Sequence, residues 1–404
     1  MRPRMVVLLV DALGWELAAR TPDLAPALTE RRRLETILGF SSGALPTLFT
    51  GRLPSAHGRW LMYRRRAGRT PFAGFQWLRL APARVQRSWK LGRLLHALVR
   101  RRGVRGYFDL YEVPRPLLAQ LDLAEREDIF APRGLPVESL WDTLARRGTR
   151  WASWDWRTPE ARNLAELERR VAEGDEEFLF CYTAELDAAL HREGSGGPGV
   201  RARLADLGLR LGRLEAAGAR RGAALWIYLL SDHGMVDVDG TVDVMARLAT
   251  LSVRWPGDYL AFFDSTMARF WWRSPSARDT VRAALAGAPG GRWLDDAELE
   301  REGCRFPGRD YGDDIYLLDP GRIMVPSFMG ARPVRAMHGY APSHPDMAAL
   351  LWSNRPLPAH VRHLTDVRGF LEDELEAMAV AGVGAEAGGD VAGGVRSRGA
   401  GGTP

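Results

Sequence analysis

The chain has 404 residues, of which 46% are hydrophobic and 26% are charged, as is typical of a folded globular protein and not of a disordered one. Lys and Arg number 56 against 50 Asp and Glu, so the formal net charge is +6. Lys90 is the only lysine, and the arginines are spread along the chain. Specific nucleic-acid binding is therefore not expected. The charge reflects either a compositional bias or a pocket for an anionic substrate.

Neither the cysteines nor the apolar runs indicate a secreted or membrane-spanning protein. Cys181 and Cys304 are too few and too far apart for a disulfide framework or a Cys-based zinc site. No apolar run approaches the roughly 20 residues that cross a bilayer. The run Met5–Val10 is too short for a signal-peptide core, and Asp11 interrupts it. We therefore expect a cytoplasmic protein with no membrane span, and the sequence leaves its oligomeric state open.

Buried strands and amphipathic helices alternate along the chain. Continuous apolar segments predict strands at Met5–Val10, Arg150–Trp154, Phe178–Tyr182, Ala224–Leu230 and Ala348–Trp352. Amphipathic segments predict helices at Val137–Arg147, Pro159–Ala172 and Val200–Gly222. This alternation indicates an α/β fold with a central, mostly parallel sheet between helices. Polar residues that directly follow such strands lie at the carboxyl edge of the sheet, where ligands bind.

Two stretches interrupt this alternation, and a third ends it. Residues of about 60–135 are rich in Arg, Trp and Pro and are interpreted as an inserted cap. Residues of about 250–330 contain short strands and one helix and are interpreted as an α+β insertion. The Gly/Ala-rich segment of about 381–404 is predicted to be a disordered tail. The remainder of 1–380 is predicted to be one catalytic domain that carries both insertions.

Six acidic and histidine side chains stand at or near the carboxyl ends of the predicted strands. Three are aspartates and three are histidines, an oxygen- and nitrogen-rich set without thiolates that suits Zn²⁺ or Mn²⁺. Each residue alone has an ordinary explanation, such as a helix N-cap for an aspartate that follows a strand. Together they suffice for two ions. The set comprises Asp11, Asp187, His191, Asp232, His233 and His338.

A candidate nucleophile lies in the turn-prone segment Gly39–Gly51. An extended stretch leads through Ser41 and Ser42 into a predicted helix, so a hydroxyl is exposed at a helix N-terminus that also favours an anion. A hydroxyl bound to a cation is a strong nucleophile because the cation lowers its pKa. The alternative is a serine that only caps the helix.

Five motifs in chain order resemble one known family. They are VDALG with Asp11, FSSGALPTLFTGRLPSAHG from Phe40, ELDAALH from Glu185, SDHGM from Ser231 and MHGY from Met337. Together they resemble the alkaline phosphatase superfamily, and within it the type I phosphodiesterase/nucleotide pyrophosphatase branch. The resemblance extends over residues of about 5–350 and implies an alkaline phosphatase-like fold.

The resemblance implies two metal ions, usually zinc, and assigns their ligands by motif. One ion is held by Asp187, His191 and His338. The other is held by Asp11, Asp232, His233 and the nucleophile. The family places its nucleophile ten residues before the glycine of its Thr-Gly pair, which is Gly51, and this assigns Ser41, with Ser42 as the neighbouring alternative.

The activity implied by the resemblance is hydrolysis of a phosphodiester or pyrophosphate bond in an anionic phosphate-ester small molecule. The serine forms a covalent phosphoseryl intermediate, and water activated at the other metal hydrolyses it. Alternatives are a phosphomonoesterase, a phosphoryl transferase or mutase of the same superfamily, and a non-catalytic metal-binding relative.

The sequence departs from nucleotide pyrophosphatases at two places. Ser42-Gly43-Ala44 stands where they have Phe-Pro-Asn after the nucleophile. Met62 stands where they have an asparagine that contacts the phosphoryl oxygen. Nucleotide-type recognition therefore does not follow from the motifs, and an arginine of the cap is expected to replace the missing contact. Asp264 and Arg269 are interpreted either as a lid pair that reaches the substrate or as a structural ion pair.

Overall fold

The computed structural model describes residues 3–86, 88–222 and 224–387. Its strands are β1 (Arg4–Val10), β2 (Glu30–Leu34), β3 (Tyr63–Arg65), β4 (Leu121–Leu123), β5 (Trp151–Trp154), β6 (Phe178–Thr183), β7 (Leu225–Leu230), β8 (Val236–Asp237), β9 (Gly240–Val242), β10 (Tyr259–Phe263), β11 (Met267–Trp272), β12 (Gly291–Trp293), β13 (Asp314–Leu318), β14 (Arg322–Met324), β15 (Ala336–Met337) and β16 (Ala349–Ser353). Its α-helices are α1 (Trp15–Ala19), α2 (Ser41–Thr50), α3 (Pro54–His57), α4 (Ala83–Gln86), α5 (Trp89–Arg101), α6 (Leu140–Arg147), α7 (Glu160–Glu173), α8 (Glu185–Glu193), α9 (Pro198–Arg221), α10 (Val244–Ala249), α11 (Pro275–Ala286), α12 (Asp296–Arg301) and α13 (Leu364–Ala387). Short 3₁₀ helices cover Phe75–Leu80, Leu117–Gln120 and Pro345–Met347.

The central sheet has six strands in the order β2-β16-β7-β1-β6-β5. The strands β5, β6, β1 and β7 are mutually parallel, whereas β16 runs antiparallel to both β7 and β2. The mostly parallel α/β sheet predicted from the sequence is therefore confirmed. The sequence of β16, like that of β7, indicates a strand buried on both faces but carries no signal for its direction.

Helices cover both faces of this sheet, as the continuous apolar strands require. Met5, Val7 and Leu9 of β1 point into one hydrophobic core, which α2, α6 and α13 complete. Val6 and Leu8 point into the opposite core, which α7, α8 and α9 complete. The period of two along β1 thus fixes which residues face each helical layer.

The two stretches that interrupt the alternation share one hydrophobic core. Tyr63, Phe72 and Val99 from the first stretch pack in the same cluster as Phe262 and Phe328 from the second. The second stretch supplies a four-stranded antiparallel sheet in the order β10-β11-β13-β12. The two insertions, which are far apart in sequence, therefore form one cap.

The C-terminal helix α13 continues to Ala387, so residues 381–387 of the segment predicted to be a disordered tail are helical. The alanines in this stretch have high helix propensity. Residues 388–404 lie outside the described residues. Of the helices that are described, none is both long and apolar enough to cross a bilayer. Cys181 and Cys304 are buried free thiols.

Buried Arg269 pairs with Asp264 of its own insertion and also bonds to the other insertion. The Arg269 Nε group donates a hydrogen bond to Asp264 Oδ2 at 2.7 Å, and its Nη1 group donates to the Tyr63 carbonyl at 2.7 Å. The Arg269 side chain is completely buried. Burial raises the pKa of Asp264, and the charge of Arg269 opposes this shift. Arg269 therefore has a structural role, whereas Asp264 also lines the cavity described below.

We expect Arg269→Met to lower the free energy of unfolding by about 3 kcal/mol, because it leaves the buried Asp264 carboxylate without its partner. Urea unfolding measures this change. Arg254→Met removes an arginine whose side chain is 86% exposed and is expected to cost less than about 0.5 kcal/mol. An equal, small effect of both substitutions would contradict the stabilising role of the pair.

Candidate active site

The structure brings together all six acidic and histidine residues that the sequence singled out. Asp11 follows β1, Asp232 and His233 follow β7, and α8 begins just after β6, so their strands end at one edge of the sheet. The ligand atoms of Asp187, His191 and His338 lie within 4.8 Å of one another, and so do those of Asp11, Asp232 and His233.

The first group is built on one turn of helix α8. Asp187 and His191 are four residues apart and therefore face the same way, with His191 Nε2 at 3.3 Å from Asp187 Oδ1. The Nδ1 atom of His191 lies 2.8 Å from the Ala336 carbonyl, so Nδ1 carries the proton and Nε2 is left as the ligand atom. His338 follows β15, and its Nε2 atom is 3.7 Å from Asp187 Oδ1.

The second group is almost completely buried beneath α2. His233 Nε2 lies 3.4 Å from Asp11 Oδ1 and 3.4 Å from Asp232 Oδ2. Its Nδ1 atom lies 3.0 Å from the Gly234 carbonyl, which again directs Nε2 into the cluster. The other oxygen of Asp232 accepts hydrogen bonds from the backbone N–H groups of His233 and Ala12. Backbone contacts therefore hold both side chains in place.

Close backbone packing brings the two groups side by side. The His233 and His338 rings stack with centroids 3.9 Å apart. A Cβ atom on Gly234 would lie 2.0 Å from the Asp346 carbonyl oxygen, so only glycine fits after His233. Gly339 has a positive φ of 89°, and a Cβ atom there would collide with Phe40. The glycines after both histidines are thus required by the geometry.

Ser41, the first residue of α2, faces the second group. Its Oγ atom is 2.9 Å from His233 Nε2 and 3.4 Å from Asp11 Oδ1. The Ser42 hydroxyl instead donates to the Trp60 carbonyl at 3.1 Å. Within the described chain, the N–H groups of Ser41 and Ser42 have no hydrogen-bond partner, as is usual in the first turn of a helix. The geometry therefore separates two serines that are adjacent in sequence.

The charges and burial of the six side chains favour the binding of cations. Burial raises the pKa of Asp11 well above its usual value, and the negative charges of Asp232 and Asp187 raise it further. Burial and the neighbouring histidines lower the pKa of His338. Three polar atoms, Asp187 Oδ1, Asp232 Oδ2 and His338 Nδ1, are buried without a hydrogen-bond partner. A divalent cation in each group would supply the missing charge, so the residues fit two metal ions.

Tyr182 is a site residue that the sequence analysis missed. It is the penultimate residue of β6, and its hydroxyl donates a hydrogen bond to Asp11 Oδ2. This bond fixes the orientation of the Asp11 carboxylate. A tyrosine near the carboxyl end of a buried strand was the available signal, but apolar packing explained it equally well.

The first group, Asp11 of the second group and Ser41 line a cavity of about 430 Å³, and Asp232 and His233 lie buried behind them. The cap supplies aromatic wall residues at Tyr107 and Tyr111, and Trp156 adds to them from the loop after β5. Met62 also lines the cavity, which agrees with its position in the motif. Trp156 and Tyr107 pack edge to face at 5.2 Å.

The arginine of the cavity is Arg59, which directly precedes the predicted cap. Among the described lining residues it is the only arginine, so no lining arginine comes from residues 60–135. Strand β3 begins shortly after this residue, at Tyr63. Arg59 Nη2 donates to the Gly134 carbonyl at 2.8 Å, while its Nε and Nη1 atoms have no described partner. A buried cation thus stands beside the cavity with unused donors.

Glu125 places a buried carboxyl group in the same wall. Its Oε1 atom accepts a hydrogen bond from the Tyr107 N–H at 2.7 Å. The missing side chain of Gly106 makes room for it, since a Cβ atom there would lie 2.5 Å from Glu125 Cγ. Burial raises the pKa of Glu125 to about 7, although the hydrogen bond and the charge of Arg59 oppose this shift.

An acidic run and several tryptophans lie away from the cavity. The acidic run Asp310–Asp314 ends in Asp314, which pairs with Arg278 at 2.9 Å and Arg282 at 3.0 Å. Trp77 and Trp89 are exposed on the cap surface, and Trp271 is buried in the cap core. None of these residues lines the cavity.

We expect the stability of the metal-free protein to fall between about pH 4.5 and pH 7 because of Glu125. Its pKa is higher in the folded chain than in the unfolded chain, so folding binds a proton in this window and that contribution is lost as the pH rises. Glu125→Gln removes it. The difference in unfolding free energy between wild type and Glu125→Gln should therefore change by up to about 3 kcal/mol from pH 4.5 to pH 8.

Urea unfolding in the presence of a chelator measures this difference. Glu127→Gln alters an exposed carboxyl group of the same loop and is expected to keep the pH profile of the wild type. A constant difference between wild type and Glu125→Gln across the pH range would show that Glu125 is ionised in the folded protein.

Solved structures of known proteins share this fold. A structure of murine ectonucleotide pyrophosphatase/phosphodiesterase 5 aligns with a TM-score of 0.65 and 16% identity, over 92% of this chain and 95% of that chain. An inactive variant of the murine protein in complex with AMP aligns with a TM-score of 0.65 and 15% identity, over 93% of this chain and 95% of that chain. The human protein aligns with a TM-score of 0.64 and 14% identity, over 92% of this chain and 95% of that chain. These similarities establish the alkaline phosphatase-like fold.

The sequence itself carries the assignment to a family. No curated protein matches the chain. The sequence model of the type I phosphodiesterase/nucleotide pyrophosphatase family matches residues 5–289, well over half of the chain. The resemblance of the motifs is therefore confirmed, and the chain belongs to the type I phosphodiesterase/nucleotide pyrophosphatase family, a group of hydrolases in the alkaline phosphatase superfamily.

Proposed function

We propose that the protein hydrolyses a phosphodiester or pyrophosphate bond with two divalent cations and Ser41 as its nucleophile. The observation that carries this proposal is the position of Ser41 Oγ, 2.9 Å from His233 Nε2 and 3.4 Å from Asp11 Oδ1. The six acidic and histidine side chains surround this position, and family membership supports the reaction class.

The two groups of side chains would each hold one cation. Asp187, His191 and His338 would bind one of them. Asp11, Asp232 and His233 would bind the other, next to Ser41. The mixed carboxylate and imidazole donors favour Zn²⁺, with Mn²⁺ as the alternative. When bound, the cations lower the pKa of the hydroxyl nucleophile and offset the negative charge that develops on the phosphoryl oxygens.

The residues of the chain position the reacting atoms. Ser41 Oγ forms a bond to phosphorus while the bond from phosphorus to the leaving oxygen breaks, which yields a phosphoseryl intermediate. Water then attacks the phosphorus, and the Ser41 oxygen leaves and regains a proton. The free N–H groups at the start of α2 favour the anionic phosphoryl group. Tyr182 keeps Asp11 oriented through its hydrogen bond.

A nucleotide ester is the first substrate class to test. The AMP complex of the murine relative supports it, and Tyr107, Tyr111 and Trp156 offer aromatic surface for a ring. Met62 provides no hydrogen-bond donor of the kind that an asparagine would offer. Arg59, with two unpaired donor atoms, is the group of the wall best suited to an anion.

Replacing Ser41 should remove the reaction, whereas replacing Ser42 should not. We expect Ser41→Ala to lower the turnover of bis-p-nitrophenyl phosphate by at least about 10³-fold, because the attacking oxygen is lost. Ser42→Ala is the matched control and should retain activity within about tenfold, since its hydroxyl bonds to the Trp60 carbonyl. Release of p-nitrophenolate measures both.

The opposite result, with activity lost only in Ser42→Ala, would move the nucleophile by one residue. Faster turnover of p-nitrophenyl phosphate than of the diester would favour the phosphomonoesterase alternative. No turnover of any phosphate ester by protein loaded with two metal ions would contradict the hydrolase proposal.

Removing the metal should destabilise the fold as well as stop the reaction. Cations that bind only the folded chain raise its melting temperature, so dialysis against a chelator should lower that temperature and added Zn²⁺ or Mn²⁺ should restore it. Calorimetry should show two bound ions, and Asp232→Asn should weaken the binding of one of them. Asp239→Asn, which alters a carboxylate with a 70% exposed side chain, should leave both ions bound. Binding of a single ion by the wild type would contradict the two-cation site.

A further inference from the structure

The positive charge of the chain is concentrated in one segment, which corrects the impression that the arginines are evenly spread. Between Glu35 and Asp109 the sequence contains no acidic residue. The same 73 residues contain fourteen arginines and the single lysine, Lys90. This segment is therefore far more positive than the +6 of the whole chain, and the remainder is negative.

The most exposed apolar part of the chain lies within this segment. The described residues 75–86 and 88–94, which we call the 75–94 surface, include the 3₁₀ helix Phe75–Leu80, helix α4 and the first turns of α5. Eight large hydrophobic residues are exposed in the described chain, and five of them lie here. They are Trp77 (61% exposed), Leu80 (75%), Val85 (44%), Trp89 (65%) and Leu94 (65%).

Helix α5 shows that this exposure follows a pattern. Leu95 and Val99 point into the cap core, so the inner face of the helix is already satisfied. The opposite face carries Trp89, Lys90 and Leu94, which are all exposed. An amphipathic helix whose outer face mixes tryptophan and leucine with basic residues is typical of a helix at a lipid interface.

The cations of the 75–94 surface are not neutralised within the fold. Arg79, Arg84, Lys90 and Arg93 form no ion pair with any carboxylate of the described chain. The guanidinium of Arg79 lies 5.8 Å from the Trp77 ring, and that of Arg93 lies 5.5 Å from the Trp89 ring. Each exposed indole is thus paired with a free cation on the surface.

We propose that the 75–94 surface docks on an anionic lipid bilayer. Tryptophan and leucine would enter the boundary between headgroups and acyl chains, and the basic side chains would contact lipid phosphates and carboxylates. A second copy of the chain would bring two positive surfaces together, so charge disfavours it. A nucleic acid would satisfy the arginines but would leave Leu80, Val85 and Leu94 in water. Of these three partners, an anionic bilayer accounts for both the basic and the exposed apolar side chains.

Docking in this orientation would bring the cavity wall close to the membrane. Arg100 of α5 donates a hydrogen bond to the Gly106 carbonyl at 2.7 Å, next to Tyr107. His96 of α5 stacks on Phe108 with ring centroids 4.3 Å apart. Helix α5, whose first turns belong to the 75–94 surface, therefore also contacts the loop that supplies Tyr107 to the cavity wall.

Vesicle flotation of the full chain tests the proposal. We expect binding to vesicles of phosphatidylcholine with about one third phosphatidylserine, and binding at least about tenfold weaker to pure phosphatidylcholine or in high salt. Arg84→Glu/Lys90→Glu and Trp77→Ser/Trp89→Ser should each weaken binding at least about tenfold. Because these side chains are exposed, both variants should keep the melting temperature and the turnover of soluble bis-p-nitrophenyl phosphate.

The matched control is Arg33→Glu/Leu209→Ser, which changes one exposed basic and one exposed apolar residue outside the 75–94 surface. It should bind vesicles like the wild type. Equal weakening by the control and the test variants would show unspecific charge attraction and would overturn the assignment of the surface.

Quenching by lipids with brominated acyl chains tests insertion directly. Vesicles containing these lipids should quench part of the tryptophan fluorescence of the wild type. Trp77→Phe/Trp89→Phe should still bind but should lose this quenching. Absence of vesicle binding by the wild type would overturn the proposal. Absence of quenching in bound protein would do the same, and so would tight binding of single- or double-stranded DNA that the two test variants abolish.

Discussion

Asp11, Asp187 and Asp232 are held close together with little access to water, and the rest of the molecule depends on this constraint. Parallel pairing of β6, β1 and β7 places their carboxyl ends at one edge, so the acidic residues that follow them cannot move apart. Burial raises the pKa of Asp11, and the negative charges of Asp232 and Asp187 raise it further. A pair of divalent cations is the simplest counter-charge. The sheet organises the site, and the proposed cations would complete it, which would link folding to metal binding.

The geometry around these carboxylates explains why small residues follow the histidines. Gly234 lets the chain pass against the Asp346 carbonyl, and Gly339 lets it pass against Phe40. Both approaches bring His233 and His338 into ring contact. A larger residue at either position would collide with these neighbours and displace His233 or His338. The DHG and HG pairs of the sequence are thus packing requirements as much as chemical signatures.

The sequence predicted the parts of the molecule that depend on local patterns. The buried strands and the polar residues at their ends follow from periodicity and position, and these already place Asp11 and Asp232 at the sheet edge. The choice between Ser41 and Ser42 needed the orientation of α2, because neighbouring residues on a helix point about 100° apart. The direction of β16 needed the tertiary path of the chain, since a strand buried on both faces looks the same in either direction.

The residues that were missed depend on contacts between distant segments. Tyr182 meets Asp11 across two strands, and Arg59 is fixed by the carbonyl of Gly134. Glu125 is buried because the loop at Gly106 closes over it. None of these contacts has a local pattern, and a single cap arginine could not be chosen among many. The arginine that lines the cavity is Arg59, which directly follows the motif that ends at Gly58 and which composition alone does not distinguish.

The arginines of the first insertion divide by environment, and this division argues for two functions of the cap. Arg100 and Arg102 are held by backbone carbonyls of the cap, and Arg100 thereby anchors the loop that supplies Tyr107 to the cavity wall. Arg79, Arg84 and Arg93 have no such partner and lie beside exposed apolar side chains. A purely compositional bias would not separate the arginines in this way, nor would it leave tryptophan and leucine in water. The inner side of the cap serves the cavity, and its outer side has the features of an interface.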